Sequence, residues 1–239
     1  MAGADRTYFS GETLSPDALR KSLLEEPAGA VLTREALPPG LFIVQNALTA
    51  DVCHKIVDAA GRIEGEAAKV LSRRADAVAA RNVDTRKTEH FAAEKISPEL
   101  NQMVRAAYLD FVARHYRVDL EWFEKPMVLR YKDRGEYHSH ADAYNWMEHE
   151  RRWVRVANRD YSLLIYLNED FSGGELEFKY LNFKVTPRQG MLVAFPSDWR
   201  YAHAAQPVTK GVKFSIVSFA AARGTPRIDN PAPINKIPF

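Results

Sequence analysis

The sequence predicts an α+β protein, mainly β, in which helices come first and a compact β domain follows. After residue 125, short runs rich in β-branched and aromatic residues follow one another. Turn sequences that contain Gly, Pro, Asn or Asp, such as NEDFSGGE, TPRQG and TKG, separate these runs. Many short strands between turn signals indicate a β-sandwich or barrel. We expect the preceding helices to pack on one of its sheets.

The first part of the chain shows helix and strand signals in alternation. A short helix is predicted over 15–26, with Ser15 as its cap and Pro16 at its first position. The run GLFIVQNAL (40–48) predicts a strand. The next stretch, TADVCHKIVDAAGRIEGEAAKVL, has helical apolar spacing, and Thr49 is its predicted N-cap.

The polar segment 72–91 predicts a loop with pieces of strand. A further helix is predicted over 97–116, because Ser97 can cap it and Pro98 fits its first position. Six runs in the β domain have strand character: PMVLRYK, YSLLIYLNE, GELEFKYL, FKVTP, GMLVAFP and VKFSIVSF.

Composition excludes several classes of protein. The 239 residues suffice for one large domain, and a net charge of +2 does not indicate a nucleic-acid partner. The single cysteine, Cys53, rules out an internal disulfide. The first residues lack the apolar core of a signal peptide, and no apolar run is long enough to span a membrane. We therefore expect a cytoplasmic location and no membrane partner; the sequence does not indicate an oligomeric state.

The stretch YKDRGEYHSHADAYNW (131–146) holds three potential metal ligands, namely His138, His140 and Asp142. A strand would place all three on one face, because side chains alternate with a period of two. The outer two would then lie about 13 Å apart, at roughly 3.3 Å per residue, which is too far to share one ion comfortably. A pair, either 138/140 or 140/142, therefore needs a third ligand from elsewhere. The pair can converge if the strand bends after its first ligand.

Two interpretations of these ligands differ in the metal they predict. One takes HSHAD as the start of the metallo-β-lactamase signature His-x-His-x-Asp-His and predicts a zinc hydrolase, although the sixth position is Ala143. The other combines His140 and Asp142 with a distant histidine into a 2-His-1-carboxylate triad, which leaves open positions on Fe(II). The distant candidate is His203, between two predicted strands at the rim of the β domain.

Ten residues after His203, Lys213 opens the last long strand, and Ser215 lies on the same face of that strand. A cation and a hydroxyl that face a barrel interior can bind a carboxylate. Because a lysine aimed at a barrel core is costly without an anion, this pair predicts a dicarboxylic co-substrate.

The region 127–220 resembles the catalytic domain of the 2-oxoglutarate/Fe(II) dioxygenases of the prolyl 4-hydroxylase type. The lead-in GLFIVQNALTADVCHKIV and the segment VDTRKTEH are similar to the same family, which extends the resemblance to most of the chain from residue 40. The glycine of the first motif comes one place later than usual. The matching positions are Tyr131, Gly135, Tyr137, His140, Asp142, Arg159, YLN (166–168), GGE (173–175), Pro187, Gly190, AFP (194–196), His203 and Lys213.

The resemblance implies a double-stranded β-helix, or jelly roll, supported by N-terminal helices. It divides the chain into an N-terminal extension (1–39) and a single dioxygenase domain (40–239). Within that domain we expect helical support over 40–125, a β-helix core over 126–222 and a C-terminal tail over 223–239.

The resemblance also implies a hydroxylase of an unactivated C–H bond that uses Fe(II), 2-oxoglutarate and O₂, with support from ascorbate, and releases succinate and CO₂. The iron ligand Asp142 favours hydroxylation over halogenation, because halogenases of the superfamily lack this carboxylate. The substrate could be peptidyl proline, an amino acid or a small natural product. A non-catalytic β-helix binding module is a further alternative, besides the hydrolase.

Residue roles follow from the same resemblance. The expected iron ligands and catalytic residues are His140, Asp142 and His203. The expected 2-oxoglutarate ligands are Lys213, Tyr131 and Ser215, because Leu163 or Ile165, which carry no hydroxyl, are expected at the inward positions of the LLIYLN strand. The expected substrate contacts are Tyr137, Arg86, Trp199 and Arg155. Segment 143–160 is expected at the barrel mouth, where it would select the substrate.

Overall fold

The computed structural model describes residues 37–63, 66–67, 88–229 and 235–239. The predicted helix over 15–26, most of the polar segment 72–91 and Arg86 lie outside these residues. In the described part of the chain, antiparallel strands predominate and form two principal sheets. The predicted jelly roll with supporting helices is confirmed. None of the helices within these ranges is long and apolar enough to cross a membrane.

The described strands are numbered in chain order. They are β1 Phe42–Val44, β2 Glu66–Ala67, β3 Glu89–Ala92, β4 Leu120–Glu124, β5 Met127–Tyr131, β6 Tyr137–His140, β7 Tyr144–Met147, β8 Arg152–Arg155, β9 Tyr161–Tyr166, β10 Ser172–Gly173, β11 Leu176–Phe178, β12 Phe183–Val185, β13 Leu192–Pro196, β14 His203–Ala205, β15 Val208–Lys210, β16 Lys213–Ala222 and β17 Lys236–Pro238.

The first described helix begins at its predicted cap. Helix α1 (Ala50–Gly61) starts after Thr49, whose hydroxyl accepts a hydrogen bond from the Val52 N–H at 3.4 Å. It ends at a glycine, the weakest helix former after proline, and is therefore shorter than its apolar pattern predicts.

The second helical region starts with the short α2 (Ala93–Ile96) and continues from α3 (Glu99–Ala107) through a π-helical stretch (Tyr108–Ala113) into α4 (Arg114–Tyr116). The Ser97 hydroxyl accepts from the Glu99 N–H at 3.3 Å, but α3 begins one residue later than predicted, with Pro98 and not Ser97 at its N-cap.

The larger sheet has the strand order β1-β13-β9-β16-β5-β3-β2. The long strand β16 pairs with β5 along its first half and with β4 along its second, and β17 is added outside β4. The smaller sheet has the order β12-β11-β14-β6. Two short ribbons, β7–β8 and β10–β15, complete the described strands.

The two faces of the larger sheet bury different residues. Leu163 and Ile165 of β9 pack with the helices on the outer face. Leu164 and Tyr166 of the same strand face the barrel interior, together with residues of the smaller sheet such as Phe178. The expectation that Leu163 or Ile165 points inward is therefore wrong by one residue. Because this strand is buried on both faces, its apolar residues do not reveal which face is which.

Gly190 closes the turn before β13 in a backbone conformation with φ +75°. A Cβ atom there would lie 2.2 Å from the Leu48 carbonyl oxygen. Because this oxygen belongs to the backbone, rotation of a side chain could not remove the clash. We expect Gly190→Ala to lower the free energy of unfolding by more than about 1 kcal/mol, because both the left-handed φ and the clash oppose it. Urea denaturation of the purified protein measures this change.

Gly61→Ala is the matched control, because Gly61 ends α1 and a Cβ there meets nothing within 4 Å. This change should leave stability unchanged or raise it by up to about 1 kcal/mol. Equal losses in both variants would contradict the strain assigned to Gly190.

Candidate metal centre

Two histidines from distant parts of the sequence lie opposite each other in the smaller sheet. His140 ends β6, His203 begins β14, and the two are direct partners in the antiparallel register. Their ring centroids are 4.5 Å apart. The strand ends at His140 and the chain bends at Asp142, which brings the carboxylate to the two imidazoles. The predicted bend after the first ligand is thus present.

Asp142 faces the Nε2 atoms of both histidines. Its Oδ1 lies 3.4 Å from Nε2 of His140, and its Oδ2 lies 3.8 Å from Nε2 of His203. One ligand atom from each of the three residues lies within 4.8 Å of the others, so that the three can bind one ion. The group does not include His138, whose side chain is 54% exposed and lies 3.6 Å from Glu136.

Hydrogen bonds set both imidazoles in the tautomer that binds a metal through Nε2. Nδ1 of His140 is 2.8 Å from the His138 carbonyl oxygen, and Nδ1 of His203 is 3.0 Å from that of Tyr201. Because a carbonyl oxygen only accepts, each Nδ1 carries a proton, which leaves Nε2 as the nitrogen that can bind a metal. Burial lowers the pKa of His203 to about 4, which keeps this ring neutral near pH 7.

The carboxylate of Asp142 is buried, with 6% of its side chain exposed, yet it stays ionised. Burial alone would raise the pKa of Asp142. Electrostatic attraction from His203, a hydrogen bond and electrostatic attraction from His140, and a hydrogen bond from Ser162 together hold that pKa below its ordinary value. The Ser162 hydroxyl donates to Oδ2 at 2.6 Å.

Arg159 holds the backbone of Asp142 in place. Its Nη1 donates to the Asp142 carbonyl oxygen at 3.1 Å, and its guanidinium lies 3.8 Å from the centroid of the Phe219 ring. The same guanidinium pairs with both carboxylate oxygens of Glu124, at 2.5 and 2.8 Å. Sequence similarity marked Arg159 as a motif residue, and the structure shows what it contacts.

Lys213 lies in the barrel interior opposite Tyr131, as the period of two predicted. It is 2% exposed, and its Nζ lies 4.1 Å from the centroid of the Tyr131 ring. Nζ donates a hydrogen bond to the Gly174 carbonyl oxygen at 2.9 Å. Burial lowers the pKa of Lys213 to about 7, against the opposing influence of Glu175. A buried ammonium with so little compensation fits an anionic ligand.

Two hydroxyl-bearing side chains share this face. Ser215 is two residues from Lys213 on β16, and its register partner on β9 is Tyr166. Sequence patterns did not indicate Tyr166, because its inward direction depends on the phase of β9, which an apolar run does not reveal. Lys213, Tyr131, Ser215 and Tyr166 thus lie on three neighbouring strands, β16, β5 and β9, as two pairs of register partners.

The predicted substrate contacts lie in different surroundings. The Tyr137 ring stacks on the His140 ring, with centroids 3.7 Å apart. Trp199 is exposed, and its ring meets the edge of Tyr180 at 6.1 Å. Arg86 lies outside the described residues. The substrate roles of all these residues stay predictions.

Arg155 is engaged by the protein itself. Its guanidinium donates to the carbonyl oxygens of Ala157, Arg159 and Pro226 and to the Asp160 carboxylate. This arrangement ties the end of β8 to the chain after β16 and leaves the guanidinium little capacity for a substrate. The predicted role of Arg155 therefore gains no support from its position.

Segment 143–160 contains the ribbon β7–β8. Trp146 and Trp153 face each other across this ribbon, with centroids 5.8 Å apart. The Ala143 N–H donates to the Ser197 carbonyl oxygen at 3.0 Å, which fixes the base of the ribbon beside the segment that leads to His203.

Comparison with known proteins identifies the region that carries these residues. Residues 126–221 match the family model of the 2OG-Fe(II) oxygenase superfamily. Over these residues, which make up less than half of the chain, the protein is similar to that superfamily. The residues present fit its groups, because two imidazoles and one carboxylate are the donor set of Fe(II) oxygenases, and the buried Lys213 ammonium suits 2-oxoglutarate.

Solved structures share the fold at low identity. The viral collagen prolyl hydroxylase from Paramecium Bursaria Chlorella virus-1 aligns with a TM-score of 0.54 and 18% identity, covering 76% of this chain and 96% of the viral one. A Pseudomonas putida prolyl-4-hydroxylase aligns with a TM-score of 0.50 and 21% identity, covering 77% and 94%. A Trichoplax adhaerens prolyl hydroxylase, solved with a peptide fragment of hypoxia inducible factor, aligns with a TM-score of 0.54 and 17% identity, covering 76% and 83%.

Curated relatives match over a short segment. Prolyl 3-hydroxylase 3 of Mus musculus and of Homo sapiens is 48% identical over 63 residues, and human prolyl 3-hydroxylase 2 is 36% identical over the same length. Each match covers 24% of this chain and 9% of the relative.

We expect His140→Ala, Asp142→Ala and His203→Ala each to weaken Mn(II) binding by more than about 100-fold, because each removes one of three ligands and changes to outer contacts alone already cost 10- to 100-fold. Electron paramagnetic resonance of free Mn(II) during a titration measures the affinity without turnover. His138→Ala is the matched control and should bind Mn(II) like the unmodified protein. Unchanged affinity in Asp142→Ala would contradict the assignment.

Proposed function

We propose that this protein is an Fe(II)- and 2-oxoglutarate-dependent hydroxylase that oxidises an unactivated C–H bond and releases succinate and CO₂. One observation carries the proposal: His203 of the metal-ligand group and the buried Lys213 contact residues of the same barrel core. Phe178 and Phe195 of that core contact the His203 ring, and Tyr131 of that core contacts Lys213. An iron and a dicarboxylate that chelates it would need this arrangement.

Bound iron and 2-oxoglutarate would supply the activation of O₂, with ascorbate as a supporting reductant. The chain's own residues bind, orient and exclude water. His140, Asp142 and His203 hold the ion. Lys213 pairs with the far carboxylate of 2-oxoglutarate, beside Tyr131, Ser215 and Tyr166. Apolar residues of the barrel core keep this end dry, which strengthens the ion pair.

The two alternative functions have less support. A hydrolase that uses HSHAD as a metal signature needs His138 at the ion, but this side chain is exposed and points to Glu136. A binding module without catalysis does not require a metal-ligand triad and a buried lysine in one core. The buried lysine also lowers the stability of the fold when no anion pairs with it.

We further infer that the substrate is a prolyl residue in an extended peptide. The short match to prolyl 3-hydroxylases and the prolyl hydroxylases among the solved structures support this choice. Exposed aromatic side chains, which proline-rich peptides favour, lie close in sequence to the metal ligands or to their register partner. Of the four large hydrophobic side chains that are exposed in the described ranges, three are Trp146, Tyr180 and Trp199.

These three aromatic residues follow or precede the metal ligands closely. Trp146 comes four residues after Asp142, and Trp199 comes four residues before His203. Tyr180 contacts Trp199 and comes two residues after Phe178, the register partner of His203. We infer that a peptide bound at the metal centre contacts these rings.

We expect Trp199→Ala to raise the KM for a proline-containing peptide by about threefold to tenfold, since one exposed aromatic contact contributes about 1 kcal/mol. Substrate-stimulated succinate release measures KM, and succinate release without peptide should persist. Leu109→Ala is the matched control, because Leu109 is the fourth exposed hydrophobic residue and lies on the π-helical stretch. Free proline or a small natural product that matched the peptides would overturn the substrate assignment.

We expect Lys213→Ala to weaken the binding of 2-oxoglutarate by about tenfold or more, because a hydrogen bond to a charged group contributes about 1.5–3 kcal/mol. Anaerobic titration with Mn(II) in place of iron measures the dissociation constant, and the Michaelis constant for the co-substrate should rise with it. Ser215→Ala removes only a neutral donor and should have a smaller effect. An unchanged dissociation constant in Lys213→Ala would rule out its role.

The same lysine predicts a pH dependence. Its pKa of about 7 in the ligand-free protein lies below the ordinary 10.5, so the ammonium that 2-oxoglutarate needs is lost as the pH rises above about 7. The affinity for 2-oxoglutarate should therefore fall over this range, and Lys213→Ala should abolish the fall.

The stability of the ligand-free protein depends on the same pKa. Between about pH 7 and 10.5, Lys213 is protonated in the unfolded chain and neutral in the folded one, so the free energy of unfolding rises as the pH rises through that window.

A further inference from the structure

The three metal ligands are held by different sheets. His140 and His203 lie on β6 and β14 of the smaller sheet. The Asp142 carboxylate instead reaches the larger sheet, where Ser162 of β9 donates to its Oδ2 at 2.6 Å. The hydroxyl of Ser197, directly after β13, lies 2.8 Å from the Ser162 hydroxyl. The ion would thus bridge the two sheets of the barrel.

The direction of this pair of hydrogen bonds follows from the number of protons. A carboxylate only accepts, so the single hydroxyl proton of Ser162 goes to Asp142. Ser197 must then donate its own proton to the Ser162 oxygen. Both serines are buried, so water does not compete for these contacts. Backbone hydrogen bonds fix Ser197 in turn, because its N–H donates to the Asp160 carbonyl oxygen and its own carbonyl oxygen accepts from Ala143.

Distances to the imidazoles do not decide which carboxylate oxygen binds the ion. Oδ1 lies 3.4 Å from Nε2 of His140, and Oδ2 lies 3.8 Å from Nε2 of His203. Without a further contact, either oxygen or both could reach a metal between the rings. The serine pair distinguishes them, because it engages Oδ2 and leaves Oδ1 without this donor.

We propose that Ser162, oriented by Ser197, is a positioning residue that reserves Oδ2 of Asp142 for hydrogen bonding and leaves Oδ1 as the one carboxylate oxygen for the metal. The proposal rests on the proposed oxygenase function. A carboxylate that binds through one oxygen occupies one coordination position. A carboxylate that binds through both would take a second position, which a chelating co-substrate and O₂ need.

The test uses the whole chain with Co(II), whose visible absorption reports the coordination number, and anaerobic binding of 2-oxoglutarate to the Mn(II) form. In Ser162→Ala we expect a changed Co(II) spectrum and a dissociation constant for 2-oxoglutarate raised by about tenfold, equivalent to about 1.4 kcal/mol. Metal affinity should fall by about 10- to 100-fold, as for other lost outer contacts, and less than in Asp142→Ala, since all three ligands remain; the titrations are therefore made at saturating metal. Ser162→Thr keeps the hydroxyl and should restore the original spectrum.

Two further variants separate positioning from loss of folding. Ser197→Ala removes only the outer hydroxyl and should shift the spectrum and the 2-oxoglutarate affinity in the same direction, to a smaller extent. Ser218→Ala is the matched control, because this buried serine on β16 donates to the Glu124 carbonyl oxygen and does not touch Asp142. Its spectrum and affinity should equal those of the unmodified protein.

The proposal is overturned if Ser162→Ala and Ser197→Ala both keep the original Co(II) spectrum and 2-oxoglutarate affinity. It is also overturned if Ser218→Ala changes both to the same degree. Failure of the proposed function gives a different result, in which the unmodified metal-loaded protein does not bind 2-oxoglutarate at all.

Discussion

The antiparallel register that places His203 opposite His140 is the constraint on which the candidate site depends. The chain between these two histidines builds β9, β11 and β13, so the pair forms only when both sheets are in place. A shift of one residue would turn every side chain of β14 to the other face and separate the two ligands. Asp142 depends less on the register, because the bend after β6 and the contacts of Arg159 and Ser162 fix it.

Buried charges in this barrel fall into two kinds, and the difference separates structural from functional residues. Arg159 is matched by Glu124 and the Phe219 ring, and Arg155 by three carbonyl oxygens and Asp160. Burying such charges is tolerable because the protein supplies their partners. Lys213 is buried more deeply than either arginine, yet its ammonium donates to a neutral carbonyl oxygen, that of Gly174. An anionic ligand would supply the negative charge that the Lys213 ammonium lacks. We therefore assign a ligand-binding role to this lysine and not to Arg155.

How far the sequence predicts this structure depends on the surroundings of each residue. The turn TKG sets the start of β16, so the period of two correctly placed Lys213 and Ser215 inside the barrel. The same period failed for β9, because both faces of that strand are apolar and its phase is set by cross-strand partners far along the chain. Tyr166 and Ser162 were missed for this reason. The contact between Ser162 and Ser197 joins residues 35 positions apart, so no local sequence pattern predicts it.

The division of the site between two sheets has a consequence for its rigidity. The smaller sheet supplies both imidazoles, whereas the larger sheet supplies Lys213 and, through Ser162, the orientation of Asp142. Such a site keeps its geometry only while the sheets keep their separation, and the packed core between them, including Phe178 and Phe195, maintains that separation. An ion with its co-substrate would contact both sheets at once. Ligation and barrel closure therefore stabilise each other, because a ligand that binds only the closed barrel favours it by mass action.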